Sequence, residues 1–138
     1  MSRYVMGIDN GSQSTKVAIY DVEGNEVAFG SYQLSETLSP EPGVVIHPDD
    51  DLWDSVYEAM KNCLANFTGD PKEIAGIGLC TIRCCRVLLK EDGHLAYPAI
   101  SWMDSRLNQP YVHSDNQVKY VTTTSGYLGF RLTGEFKD

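Results

Sequence analysis

Basic residues are scarce in this chain, and the scarcity excludes a first class of partner. Lys and Arg total 11 against 19 Asp and Glu, for a net charge of −8. Neither a nucleic acid nor an anionic membrane finds a complementary surface on such a chain. No apolar run approaches the roughly 20 residues of a membrane span, and the start of the chain has no hydrophobic signal core. A cytoplasmic protein is therefore expected. His47, His94 and His113 stand in separate segments without metal-ligand spacing. Cys63, Cys80, Cys84 and Cys85 fit neither paired zinc spacing nor a secreted disulfide framework. They are expected to be buried or half-buried thiols in a reducing compartment, where the sequons Asn10-Gly11-Ser12 and Asn66-Phe67-Thr68 are chance matches.

What is there suffices for one core. The chain has 138 residues, 42% of them apolar, which makes it globular rather than disordered. Tyr4, Val5, Met6 and Ile8 predict a strand, Val17 to Tyr20 a second, and the alternation of Val27, Phe29 and Tyr32 a third reaching towards Leu34. Tight turns join them, so an antiparallel meander is expected. Pro40, Pro42 and Gly43 mark the loop beyond it.

Pro48-Asp49-Asp50-Asp51 opens a predicted helix with acidic residues suited to its dipole. Leu52, Trp53, Val56, Tyr57, Met60, Leu64 and Phe67 form its expected core stripe, and Thr68-Gly69-Asp70-Pro71 ends it. Ile74 to Leu79 reads as a short strand buried on both faces. Its Gly76-x-Gly78 is no dinucleotide fingerprint, because the third glycine and the following helix are missing. A hairpin is expected between Val87–Lys90 and Leu95–Ile100, turning at Glu91-Asp92-Gly93-His94. An amphipathic helix is expected from Val118 to Leu132, with Gly134 as its stop.

The turn between the first two strands carries the candidate chemistry. In Met6-Gly7-Ile8-Asp9-Asn10-Gly11-Ser12-Gln13-Ser14-Thr15-Lys16 the tip offers backbone N–H groups to an oxyanion. Asp9 stands where a carboxylate holds Mg²⁺ directly or through water, and Lys16 supplies a point charge for a phosphate. Spacing alone fits an ordinary surface hairpin equally well. A Walker loop is excluded, because the second glycine is missing and a strand comes next.

Gly7-Ile8-Asp9-x-Gly11-Ser12-x-Ser14-x-Lys16 resembles the first phosphate motif of the FGGY carbohydrate kinases, the family of glycerol kinase and xylulokinase. Pro98-x-Ile100-x-Trp102-x-Asp104-x-Arg106 stands in the register of a second motif of that family, and Leu132-Thr133-Gly134-Glu135 matches a third. The resemblance implies an α/β fold of the ribonuclease-H-like type shared by actin, hexokinase and Hsp70: a three-strand meander, a helix and a buried strand. It covers Gly7 to Glu135 as a partial N-terminal domain spanning residues 1–138, without the second, ATP-binding domain. It implies ATP and Mg²⁺ as cofactors, with Asp9, Gly11, Ser12, Gln13 and Lys16 on the nucleotide side and Asp9 at the metal. Arg83, Cys84, Trp102 and Asp104 fall on the substrate side, facing a sugar or polyol. The catalytic base of the family lies in a segment with no counterpart here.

Two departures stand out. Glycerol kinases place an Arg-Glu pair where this chain has Arg83-Cys84, so the acidic acceptor for a polyol hydroxyl is missing. The connection after Arg106 is also shorter than in the family. Trp102 either stacks on a sugar or fills core, and Asp104 and Arg106 either contact substrate or pair with each other. The leading expectation is the front part of a sugar kinase, inactive alone. The alternative is a non-catalytic sugar- or partner-binding module, and a third reading is another actin-like ATPase, against which the Trp102 block argues. Self-association into a homo-oligomer is left open.

Overall fold

The computed structural model describes residues 3–137. Its elements are β1 (Tyr4–Asn10), β2 (Ser14–Asp21), β3 (Glu26–Gln33), α1 (Asp51–Ala65), β4 (Ile74–Thr81), β5 (Val87–Leu89), β6 (Tyr120–Thr122) and α2 (Thr124–Thr133). The chain divides into two compact units. One comprises the described residues of Met1–Leu34 and Asp54–Thr81, the other those of Ser35–Trp53 and Ile82–Asp138.

The first unit is a four-stranded mixed sheet in the order β3-β2-β1-β4. β1 and β3 flank β2 antiparallel, and β4 joins β1 in parallel after the helical crossover. Period-two alternation gives this sheet two unlike faces. Met6, Ile8, Val17, Ile19 and Ala28 are buried on one, while Val5, Asp9, Lys16, Val27 and Phe29 are exposed on the other. This is the ribonuclease-H-like arrangement expected.

The helix is present, but its buried face differs from the expected stripe. Leu52, Ser55, Val56, Ala59 and Cys63 are buried, whereas Tyr57 is exposed. The reason is close approach at β3. A Cβ on Gly30 would lie 2.2 Å from the Cys63 nitrogen and 2.6 Å from the Ala59 oxygen. Only small side chains, one turn apart on α1, let two backbones come that near. Burial of β4 also differs: four consecutive residues, Ala75 to Gly78, are exposed. The nearly continuous apolar run predicted burial on both faces, but the faces of β4, at the edge of the sheet beside β1, are left largely uncovered.

In the second unit β5 pairs antiparallel with β6, not with Leu95–Ile100. The expected hairpin survives as its turn, with Lys90 N–H on the His94 carbonyl and Gly93 at φ 84, and as single bridges from Leu89 to Leu95 and from Arg86 to Ile100. The front of the expected last helix is β6, because Val121 and Thr122 are β-branched and favour extended backbone. α2 begins only after Thr123, whose hydroxyl caps the Gly126 N–H. Gly134, at φ 78, ends it as expected.

Candidate functional site

The β1–β2 hairpin places Asp9 directly opposite Lys16, with Cys80 of β4 on the other flank of Asp9. All three are exposed on the open face of the sheet. Asp9 and Lys16 form no ion pair within 4.0 Å despite their register, so carboxylate and ammonium both remain available to a ligand. They edge a shallow concavity of about 490 Å³ whose floor is Gly7, Ala18 and Gly78.

The turn itself is short. The Gly11 N–H donates to the Ser14 carbonyl at 3.0 Å, and the Leu34 N–H holds the Gln13 carbonyl at 2.9 Å. Gly11 therefore closes the turn, and the exposed Ser12 and Gln13 are left to present N–H groups at its tip. Beneath them lies a polar cluster that sequence reasoning missed. Asn10, Thr15 and Ser55 are completely buried, yet hydrogen-bonded to one another. No local pattern signals it, because Ser55 comes from α1, 45 residues from Asn10.

In the second unit, Arg83 and Cys84 are exposed in the bend after β4. Cys84 adopts φ 62, the left-handed region that a non-glycine residue enters at a cost of about 1 kcal/mol or more. Cys80 and Cys84 are thus exposed, against the expectation of buried or half-buried thiols, while Cys63 and Cys85 are buried. Burial pushes the Cys85 thiol up.

Trp102 is 53% exposed, which removes core filling as its role. Asp104 is the opposite. Its side chain is fully buried, one oxygen accepts from the Arg106 N–H at 2.9 Å and Nε at 3.0 Å, and the other from Val45 N–H at 2.7 Å and the Arg106 guanidinium at 2.8 Å. The hydrogen bonds from Arg106, opposed by burial and helped by Val45, hold its carboxyl down at about 2. Of the two options left by the sequence, Asp104 and Arg106 pair with each other. The same strip of chain keeps His47 buried with both ring nitrogens unpartnered, and burial pushes its imidazole down.

A further cluster escaped the sequence pattern. Asp50 accepts from the buried Tyr127 hydroxyl and from Arg131 at 2.6 Å, and the Arg131 guanidinium lies 4.6 Å from the Trp53 ring centroid. It ties Asp50 and Trp53 to α2. No group of three or more His, Cys, Asp or Glu side chains able to hold a metal occurs among the described residues. None of their helices is long and apolar enough to cross a membrane.

A meander, a crossover helix and a parallel fourth strand define a ribonuclease-H-like α/β arrangement, with a polar hairpin tip and an unpaired Asp9 and Lys16 at its first turn. The chain belongs to the FGGY family of carbohydrate kinases, whose N-terminal domain matches residues 4–114. It is 53% identical over 136 residues to the uncharacterized sugar kinase YgcE of Escherichia coli (strain K12), covering 99% of this chain and 28% of that protein. Among solved structures, gluconate kinase of Lactobacillus acidophilus superposes with a TM-score of 0.78 at 20% identity, over 96% of this chain and 34% of that one, a likeness of fold. Plasmodium falciparum glycerol kinase, solved with ADP, superposes with a TM-score of 0.57 at 29% identity, over 75% of this chain and 21% of that one. The chain thus spans about a quarter of the length of its E. coli relative.

Proposed function

We propose that this chain is the front portion of an enzyme that transfers the γ-phosphate of MgATP to a hydroxyl of a sugar or polyol. The observation that carries the reading is the unpaired Asp9–Lys16 couple facing one another at the mouth of the β1–β2 turn. A single carboxylate suits Mg²⁺, which keeps most of its waters and leans on phosphate oxygens rather than a protein cage. MgATP supplies the phosphoryl group and much of the charge neutralisation. Asp9 orients the metal's water shell, while Lys16 and the Ser12 and Gln13 amides hold phosphate oxygens.

On the substrate side, Arg83 donates to hydroxyls and Trp102 offers a half-exposed ring for the apolar face of a sugar. Asp104 acts through Arg106 and Val45, fixing the strip that carries Trp102. Cys84 supplies no strong acceptor, so the substrate is not glycerol held in the Arg-Glu manner.

Phosphoryl transfer requires donor, metal and acceptor in line, with a base at the attacking hydroxyl. The family's base falls in a segment that the motifs matched here do not include, so the 138-residue chain alone is expected to show no turnover. A coupled ADP-release assay over a panel of sugars tests this, and sugar-dependent turnover by the chain would refute it. Calorimetric titration with MgADP tests the turn: Lys16→Ala is expected to weaken binding about tenfold or more, and unchanged affinity would remove Lys16 from the site. The exposed Cys84 favours a second reading, a sugar-binding module without chemistry. Sugar binding with no MgADP binding would select it.

A further inference from the structure

We infer that Asn10, Thr15 and Ser55 form a positioning device that sets the shape of the β1–β2 turn from beneath, by anchoring both of its stems to helix α1. Asn10 is the last residue of β1 and Thr15 the second of β2, and they face each other in register across the turn. All three residues are 0% exposed. The Asn10 Nδ2 group donates to Thr15 Oγ1 at 2.8 Å and reaches Ser55 Oγ at 3.5 Å, while the two hydroxyls share a hydrogen bond of 2.7 Å.

The arrangement costs the fold an unpaired acceptor. Asn10 Oδ1 is buried and meets no donor. Three apolar side chains of similar volume would fill this space without leaving a lone carbonyl, and the rest of that sheet face is built so: Met6, Ile8, Val17 and Ile19 are buried there. A polar trio at the one point where the sheet face runs out beneath the turn supplies what apolar packing cannot, a directional constraint on two backbones. It holds the stems at the separation at which Gly11 N–H meets the Ser14 carbonyl at 3.0 Å. That closure turns Ser12 and Gln13 outward and keeps Asp9 and Lys16, the immediate neighbours of Asn10 and Thr15, on the opposite face. Ser55 makes α1 part of the same unit, so the register of the helix on the sheet and the geometry of the turn are fixed together.

The functional half of this inference rests on the turn being a phosphate site; the structural half does not. The test uses the full 138-residue chain in four forms: wild type, Thr15→Val, Ser55→Ala and Thr15→Ser. Amide hydrogen exchange at Gly11 reads the closure of the turn, and amide shift changes at residues 11–16 on titration with MgADP read its use. Thr15→Val and Ser55→Ala are expected to speed Gly11 exchange and to weaken MgADP binding, each by about tenfold. Exchange in the middle of β1 and β2 stays unchanged, and Thr15→Ser, which keeps the hydroxyl, restores both readouts. Gly11 exchange and MgADP affinity both unmoved by Thr15→Val would overturn the inference. Faster exchange with no MgADP binding even by wild type would uphold the anchoring and overturn the phosphate reading. Faster exchange with unaltered affinity would overturn the functional half alone.

Discussion

Replacing Asp104 by Asn removes one charge without changing shape, and the hydrogen bonds around the carboxylate set the cost. The carboxylate accepts four of them, from Val45 N–H and from three groups of Arg106. An amide nitrogen in place of Oδ2 would confront the Val45 N–H and the guanidinium, donor against donor, at a buried side chain. The ionised form is separately valued by linkage. The folded carboxyl is held at about 2, against about 3.9 in an unfolded chain. A depressed acid stabilises fully above the unfolded value, and its contribution is lost as pH falls towards 2. That difference corresponds to about 2 kcal/mol once screening of the half-exposed Arg106 is allowed for. Loss of the acceptor and the facing donors together predict that Asp104→Asn lowers stability by about 2–4 kcal/mol at pH 7. Urea unfolding followed by tryptophan fluorescence measures it, because Trp53 and Trp102 both belong to the second unit. The gap between wild type and variant should narrow steadily from pH 5 to pH 2. A gap below about 0.5 kcal/mol at pH 7, or one indifferent to pH, would show that Arg106 and Val45 do not depend on this charge.

Gly30→Ala places a Cβ 2.2 Å from the Cys63 nitrogen, so α1 must lift from the sheet. A loss of about 3 kcal/mol is expected, seen as earlier unfolding by far-ultraviolet dichroism and as faster exchange along β2; a stability equal to wild type would refute the close approach. Tyr127→Phe leaves Asp50 with Arg131 alone and should cost about 1–2 kcal/mol by urea unfolding. It should also alter the emission of Trp53, against which Arg131 lies. Trp102→Ala should change stability by less than about 1 kcal/mol, since half of the ring is already in water. If the ring stacks on substrate, calorimetry will show sugar binding lost; sugar affinity unaffected by the change would remove Trp102 from the site.

The meander was legible because alternation is a local signal, and Met6, Ile8, Val17 and Ile19 declare one face of the sheet without reference to anything distant. Where the expectation failed, a distant partner decided. The large residues of α1 proposed one stripe, but Gly30 lies on another strand and selects the small face of Ser55, Ala59 and Cys63. Val118 to Thr123 has the polarity of an amphipathic helix, and pairing with β5 turns part of it into β6. β4 looked buried on both faces from its composition, which reports what a strand tolerates and not what covers it.

The candidate site divides along the same line, and the division separates exposed motif residues from those whose side chains are hydrogen-bonded within the fold. Asp9, Lys16, Arg83 and Trp102 were legible from their motifs, and in the structure each is exposed. Asp104 was legible as well, yet its acceptor capacity is taken by groups as far as 59 residues away. Asn10 and Ser55 meet across 45 residues, and Asp50 and Tyr127 across 77. Motif spacing identifies a residue as belonging to a site but says nothing of whether its polar atoms are already engaged, because hydrogen-bond saturation is a property of long-range packing. A carboxylate with four protein donors has little left for a hydroxyl, however well its register fits; a carboxylate facing a lysine without pairing to it has nearly all of its capacity left. By that measure Asp9, Lys16, Arg83 and Trp102 are the motif residues with capacity left for the ligands proposed above, whereas Asp104, like Asn10, Thr15 and Ser55, is hydrogen-bonded within the fold.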